Sequence, residues 1–500
     1  MTSTELSRWQ NTVAAERTLS QSFIDGTFVD AKSGETFQAT TPLTGAVTAN
    51  IAACGPEDVD LAVDSARRAF DDGRWSRQSP ADRKVVLSRY AALIDAHKSE
   101  LAALVTLDIG KPISRAEGEV AYSAMNIQWM AEAVDKIYGE VAPLGPDALA
   151  TITREPVGVV GAIVPWNFPV LMAAWKLGPA LASGNSVVLK PAQQSTLVAS
   201  RLVELASEAG LPDGVLNLVT GRGSVTGKAL AEHMDVNAIT FTGSTAVGKL
   251  IMRYAADSNL KKVSLELGGK SPTLVLSDPP NLDLVAAQSA QKIFGNSGQM
   301  CDALSRLVVH ESVSEELVEK IVSEARNWNP SDPFDPASKV GTVVDEGQMT
   351  SILGLIDAGR AEGARVATGG GRALEDTGGY YVEPTVLDGV STNMRVAREE
   401  IFGPVLTVLT FREDEEALKI AHDTEYGLVA SVWTKNITKA HRIAGRLRAG
   451  AVAVNTGDGG DLSLPHGGFG QSGFGRDSSL HAFDNYTQEK ATYINLAADL

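Results

Sequence analysis

Five hundred residues, 44% of them hydrophobic and 21% charged, exceed what one ordinary core organises and do not match a disordered chain, so two or three folded domains are expected. A net charge of −17, from 44 basic against 61 acidic residues, argues against nucleic acid or an anionic membrane surface as a partner, because both need a basic footprint. Two cysteines make no disulfide framework and no run of eighteen apolar residues occurs, so a reducing cytoplasm and no membrane span are expected.

In chain order, the first twenty residues contain no apolar segment of the kind a signal peptide requires. A-A-C-G-P then places Cys54 after a short apolar stretch, the setting of an inert buried thiol. Residues 137–156 alternate in polarity and predict exposed hairpin strands that interrupt the first domain. Apolar runs at 157–164, 185–190, 215–220 and 238–242 predict buried strands. Between them, 196–210 has the apolar spacing of a helix, closed by Gly210 and Pro212. A second series of strands is predicted at 272–277, 304–310, 404–411, 430–434 and 451–455. Strand and helix alternating at this spacing indicate parallel α/β sheets, so the chain reads as two α/β domains meeting near 265–270. The tail 486–496 is a further alternating strand. Strands outside both domains leave edges to be covered, and a partner subunit is the simplest cover.

Several motifs carry chemistry. P-W-N-F-P (165–169) sets Asn167 in a rigid turn after a buried strand, either as a turn former or as an amide donor to a developing oxyanion. L-E-L-G-G-K-S-P (265–272) ends a strand with Glu266, flanked by Leu265 and Leu267; a desolvated acid there has its pKa raised toward the range of a general base, while a solvent-facing acid would be inert. G-N-S-G-Q-M-C-D-A (295–303) builds no apolar niche for Cys301 and leaves it as a candidate nucleophile. Nucleophile, base and oxyanion donor, each expected in a loop after a strand, make up a kit for carbonyl chemistry through a covalent thio-intermediate. F-T-G-S-T-A-V-G (241–248) runs from strand to helix with Gly243 and Ser244 at the helix start, a place for a pyrophosphate. Lys190 in V-L-K-P suits a ribose hydroxyl or phosphate, and E-E-I-F-G-P (399–404) offers an acid for a ribose and Phe402 for a flat ring. G-R-G-S-V-T-G (221–227) departs from a dinucleotide fingerprint by one residue, and L-G-G-K-S lacks the first glycine of a phosphate loop.

These motifs, with P-H-G-G-F-G-Q-S-G-F-G-R-D near the C-terminus, occur in an order and spacing that resembles the NAD(P)-dependent aldehyde dehydrogenases over essentially the whole chain. Within them the chain most resembles the bacterial group acting on γ-glutamyl-aminobutyraldehyde and guanidinobutyraldehyde, through S-L-H-A-F-D-N-Y-T and G-D-G-G-D (457–461). The resemblance implies an α/β fold of two Rossmann-type parallel domains plus a small β oligomerisation element. Residues 1–136 and 157–265 would bind the cofactor, 266–482 would be catalytic, and 137–156 with 483–500 would join subunits into a homodimer or homotetramer. It implies that Cys301 attacks an aldehyde, that Asn167 and the Cys301 N–H hold the oxyanion, and that Glu266 activates the water that hydrolyses a thioester. Lys176 and Asp477 match positions of proton relay and site support. Trp166, Lys190, Gln193, Gly243, Ser244, Leu267, Glu399 and Phe402 would contact NAD or NADP, and no metal is implied. Met172, Trp175, Asp458 and Asp461 match the substrate tunnel, where acids suit an amine-bearing aldehyde; Gly-Asp runs are equally ordinary turn chemistry.

Four departures stand out. Gln193 replaces a common Glu that repels a 2′-phosphate, which makes NADP plausible. Gly295 and Ser297 replace an aromatic and a Gln, which should widen the tunnel. Asp302 follows the nucleophile and, unless it pairs or points away, disfavours the thiolate. His466 and Gly470 stand where Phe and Lys are common. Aromatic or aliphatic aldehydes are the alternative substrates. Acyl transfer to coenzyme A is a further alternative, which Glu266 counts against.

Overall fold

The computed structural model describes residues 17–497. Residues 1–16, most of the stretch read for a signal peptide, and 498–500, the end of the expected oligomerisation element, lie outside them.

Two mixed sheets form the body. In the first, five parallel strands run in the order Leu216–Leu218, Ser186–Lys190, Val159–Ile163, Ala238–Thr242 and Lys262–Glu266, with short antiparallel strands at both edges. The central strands are buried throughout, as continuous apolar runs require. Their alternation serves two cores: Val160 and Ala162 pack with the helices Pro169–Ala182 and Thr196–Glu208 on one face, whereas Val159 and Ile163 join Val59 and Val63 of the helix Pro56–Asp71 on the other. The parallel part of this sheet starts in the middle, at Val159–Ile163, winds outward to one side and resumes on the other at Ala238–Thr242. The crevice beyond the carboxyl ends of these two neighbours is thus a topological switch point, where open α/β sheets bind ligands.

The second sheet repeats the plan. Thr385–Asp388, Val405–Phe411, Arg306–His310, Pro272–Val275, Val429–Trp433 and Ala451–Val454 are parallel, and Arg365–Thr368 closes one edge antiparallel. The first sheet's last parallel strand ends at Glu266 and the second sheet's first begins at Pro272.

The alternating segments form a separate three-stranded sheet of Glu140–Ala142, Ala148–Pro156 and Thr487–Asn495. The tail pairs antiparallel with Ala148–Pro156 over its full length, Thr487 opposite Pro156 and Asn495 opposite Ala148. The two pieces therefore cover one edge of each other, where a partner subunit was expected to do so, and among the described residues no strand pairs with the outer edges of this sheet. None of the described helices is long and apolar enough to cross a membrane.

Candidate active site

The turn P-W-N-F-P leaves the strand Val159–Ile163 and enters the helix Pro169–Ala182, with Pro169 in the first helical position, where a missing N–H costs nothing. Asn167 is buried, and its Nδ2 donates to the Gln299 carbonyl at 2.9 Å, which ties the turn to the nucleophile loop. Beneath it, Glu119 Oε1 accepts the Val170 and Leu171 N–H groups at 2.9 and 3.3 Å, and Lys111, buried against Glu119, places its Nζ 3.6 Å above the Phe168 ring. Across the switch point, Ala238–Thr242 ends at Gly243, and Ser244 caps the helix Thr245–Asp257 by accepting the Val247 N–H.

Glu266, at the end of its strand, is buried, and neither carboxylate oxygen accepts a hydrogen bond among the described residues. Cys301 departs from expectation in its setting. It follows a helix and a short 3-10 turn (Leu282–Phe294, Gly295–Gly298) and precedes the strand Arg306–His310, so it approaches from the amino end of the second sheet. The loop is strained, with Asn296 and Ser297 both in the left-handed region (φ 49° and 54°). It is pinned by Gln299, whose Oε1 accepts the Val344 N–H and whose Nε2 donates to the Asn296 and Thr342 carbonyls. The thiol is half-buried rather than open. Burial pushes its pKa well up, and the charges of Glu266 and Asp302 add to this, so the resting group is a thiol that needs a base.

A cavity of about 260 Å³ brings the expected kit together, lined by Asn167, Glu266 and Cys301 with Trp166, Phe402 and Met172. Gly243 and Ser244 line the same cavity. Trp166 and Phe402 meet edge to face at 5.4 Å, and Phe402 is itself held at φ 52°, with Gln348 Nε2 donating to its carbonyl. Lys190 ends the neighbouring strand, buried, with no side-chain partner among the described residues, and burial lowers it to about 8. An open helix start, a buried unpaired cation and an aromatic wall suit the phosphates, ribose and flat ring of a dinucleotide.

Two cofactor expectations need correction. Glu399 is exposed and pairs with Arg395 one helical turn away. Its neighbour Glu400 points into the cavity, accepts the Gly269 N–H at 3.0 Å and is raised by burial to about 7. In an extended segment adjacent residues face opposite ways, and the motif alone does not say which acid turns inward. Leu267 is a core residue: its side chain lies against Gly248 and its N–H donates to the Ser472 carbonyl. Gln193 opens the short turn Gln193–Ser195, half-buried, three residues after Lys190, and like Lys190 it stands outside the wall of this cavity.

A second cavity, of about 130 Å³, adjoins the first. Cys301 lines one and Asp302 the other, while His466, on the second wall, has Nε2 3.6 Å from Glu266 on the first. Trp175, Asp458 and Asp461 line this second cavity, together with Lys292 and Tyr122, neither of which the motifs pointed to. Lys292 Nζ lies 3.6 Å from Asp302 and 3.2 Å from Asp458. Burial alone would raise Asp302, but Lys292 and then His466 outweigh it and hold the acid below its usual range. Asp302 thus pairs rather than confronting the thiol alone. Asp461 is spent on its own turn, accepting the Ser463 N–H and hydroxyl.

Lys176 and Asp477 form a buried ion pair that lines neither cavity. Asp477 exchanges two 2.7 Å backbone hydrogen bonds with His466, so the pair anchors that histidine rather than touching the reacting atoms. Ser297 is buried with its hydroxyl donating to the Gly341 carbonyl, and Gly470 is exposed in a short strand beside Tyr426; neither widens a cavity. Gly295 does leave open space where a side chain would project. Cys54 is buried at 2.9 Å from the Ser22 hydroxyl, in the structural setting expected of it.

Residues 28–492 match the model of the aldehyde dehydrogenase family. The chain belongs to that family. The NADP/NAD-dependent aldehyde dehydrogenase PuuC of Escherichia coli is 47% identical, covering 99% of each chain. A solved gamma-glutamyl-gamma-aminobutyraldehyde dehydrogenase from Burkholderia cenocepacia superimposes with a TM-score of 0.95 at 54% identity, over 98% of this chain and 99% of that one. An indole-3-acetaldehyde dehydrogenase solved with NAD+ gives 0.96 at 52% identity, again over 98% and 99%. The likeness extends to the two-sheet α/β architecture, and the catalysis is oxidation of an aldehyde with NAD or NADP.

Proposed function

We propose that this aldehyde dehydrogenase oxidises an amine-bearing aldehyde to its carboxylate, with Cys301 as nucleophile, Glu266 as base and Asn167 as oxyanion donor. The observation that carries the reading is the convergence of these three on one cavity whose remaining walls suit a dinucleotide. Cys301 Sγ bonds to the aldehyde carbon while its proton passes to Glu266, whose carboxylate oxygens make no other hydrogen bond. The Asn167 amide, already aimed at the nucleophile loop, and the Cys301 N–H hold the oxyanion. The dinucleotide that these walls would hold would supply the acceptor for the hydride of the former aldehyde carbon. Glu266 releases that first proton to solvent, takes a second from water as the water oxygen adds to the resulting thioester on Cys301, and returns it to the departing sulfur as the carboxylic acid leaves and ionises. Trp166, Gly243, Ser244, Lys190, Glu400 and Phe402 hold the cofactor.

The second cavity sets three acids, Asp302, Asp458 and Asp461, against a single lysine, Lys292, and that balance favours an amine-bearing substrate. Aromatic aldehydes are the second reading, favoured by the Trp175 ring lying 4.8 Å from the His466 ring. Initial rates with NAD and NADP over aliphatic, aromatic, 4-amino- and 4-guanidinobutyraldehydes decide between them. Highest kcat/KM for the cationic pair supports the reading, and highest kcat/KM for neutral aldehydes overturns it. Cys301→Ala should lose turnover and keep cofactor binding; retained turnover removes Cys301 from its role. Gln193→Glu should shift preference toward NAD.

The three-stranded sheet exposes Val141 (70%) and Tyr493 (69%), apolar surface that supports a homodimer or homotetramer. A monomeric mass by light scattering would refute the assembly.

A further inference from the structure

His466 is the departure from the family pattern that reaches the reacting atoms. A phenylalanine there could only wall the substrate path; an imidazole brings a third ligating atom to a site that already holds a thiol and a carboxylate. Cys301 Sγ, a Glu266 oxygen and a His466 ring nitrogen all lie within 4.8 Å of one another. His466 Nε2 is 3.6 Å from Glu266 Oε1. Glu266 is 3% exposed, and its two oxygens and His466 Nε2 are buried without a hydrogen-bond partner among the described residues. Glu266 Oε1 and His466 Nε2 face each other at a separation longer than a hydrogen bond, and buried polar atoms are normally satisfied, so these atoms beside a thiol form a cluster that a ligand would complete.

We propose that Cys301, Glu266 and His466 form a binding site for a soft divalent cation, zinc by chemistry, which reversibly silences the enzyme. Tetrahedral zinc with sulfur at ~2.3 Å and nitrogen and oxygen near 2.1 Å sets its ligand atoms roughly 3.4–3.6 Å apart. The histidine–glutamate separation already has that value, and a shift of about 1 Å brings the remaining pairs to it. Sulfur, nitrogen and oxygen together select zinc or cobalt over magnesium or calcium, which take oxygen alone. The fourth position faces the cavities and takes water. On binding, the S–H bond breaks, the proton goes to solvent and the sulfur electron pair bonds the metal; nothing is oxidised or reduced. The anchor supports the ligand geometry: His466 is fixed through its backbone to Asp477, which Lys176 holds in turn. Because the ligands include the proposed nucleophile and base, the silencing, though not the binding, rests on the proposed function.

The test uses the purified full-length enzyme, free of cofactor, titrated with cobalt(II) and then with zinc as competitor. One equivalent of cobalt should give a thiolate-to-metal charge-transfer band with intense visible absorption of tetrahedral form, which zinc erases. His466→Phe, which preserves ring volume beside Trp175, should weaken cobalt affinity at least tenfold, in line with the loss of one ligand. Cys301→Ser should abolish the charge-transfer band. Unchanged affinity in His466→Phe, or binding without the thiolate band, overturns the site, whatever the enzyme's substrate proves to be. If cobalt binds as expected but zinc leaves aldehyde oxidation untouched, the silencing role and the catalytic reading of Cys301 fail while the metal site stands.

Discussion

Replacing Glu119 by alanine should both destabilise the protein and blunt catalysis, although Glu119 lines neither cavity. The carboxylate has two tasks. It pairs with Lys111, both side chains being 1% exposed, and it accepts the first free N–H groups of the helix behind Asn167. Its removal leaves a buried lysine without a partner, a change that costs about 3–5 kcal/mol. Two uncapped N–H groups add about 1 kcal/mol each at most. Lys111 limits the sum by releasing its proton, since burial already lowers its pKa despite the pair. The expected loss is therefore about 3–5 kcal/mol by equilibrium urea unfolding. Catalysis suffers because Lys111 also grips Phe168, the neighbour of Asn167. Loss of one oxyanion donor costs about 10²–10³ in kcat, which is the ceiling for a misplaced Asn167. In a Lys111→Met background, Glu119→Gln should cost far less than Glu119→Ala does in the parent. A loss under about 1 kcal/mol with unchanged kcat would refute the coupling between this pair and the turn.

Three further outcomes follow from particular contacts. Gly268→Ala would set its Cβ 2.1 Å from a Glu400 oxygen, so the carboxylate must swing from the cavity; the cofactor KM should rise with the fold intact, and Glu400→Gln should raise it too, whereas Glu399→Gln should not. Lys190 is held near 8 by burial, and its cationic form binds an anionic or hydroxyl-rich ligand, so the cofactor KM should be flat below that pH and climb above it as the proton is lost; the climb should vanish in Lys190→Met. Asp302→Asn removes one of the negative charges that raise the Cys301 thiol, so alkylation by iodoacetamide should accelerate and its pH profile move to lower pH.

The strands were legible because a run such as 159–163, buried on both faces, has no polar position to blur its pattern. Asn167, Glu266 and Cys301 were legible as candidates, each with an ordinary reading beside it, and the structure brings the three to one cavity. What the sequence hid depends on orientation and on contacts between distant segments. Glu399 and Glu400 are adjacent and chemically equal, and only the turn at Glu400, fixed by the Gly269 N–H, selects the inward one. Tyr122 and Lys292 sit on helices, where a lone tyrosine or lysine reads as ordinary surface, and they reach the second cavity only through folding. His466 was visible as an unusual residue, but its approach to Glu266 joins segments two hundred residues apart, and no local spacing encodes it.

Charge alone gives the second cavity only modest selectivity. Asp458 has a side chain 73% exposed and is already engaged by Lys292 at 3.2 Å. An ammonium replacing Lys292 there gains what an exposed ion pair gains, about 0.2–1 kcal/mol, or about fivefold at the upper end. Asp461 is fully exposed and held by Ser463, so it steers an approaching cation without gripping it. Asp302 is the better-sheltered acid, with a side chain 31% exposed, and it stands next to the nucleophile. A cationic aldehyde whose charge reaches Asp302 should therefore be preferred over its neutral isostere by several-fold in kcat/KM, with the preference shrinking as salt is added. Asp302→Asn should remove most of that preference, and Asp458→Asn little of it. If the Asp458 variant instead loses the larger share, the loop's exposed acid discriminates and the assignment of selectivity to burial is wrong.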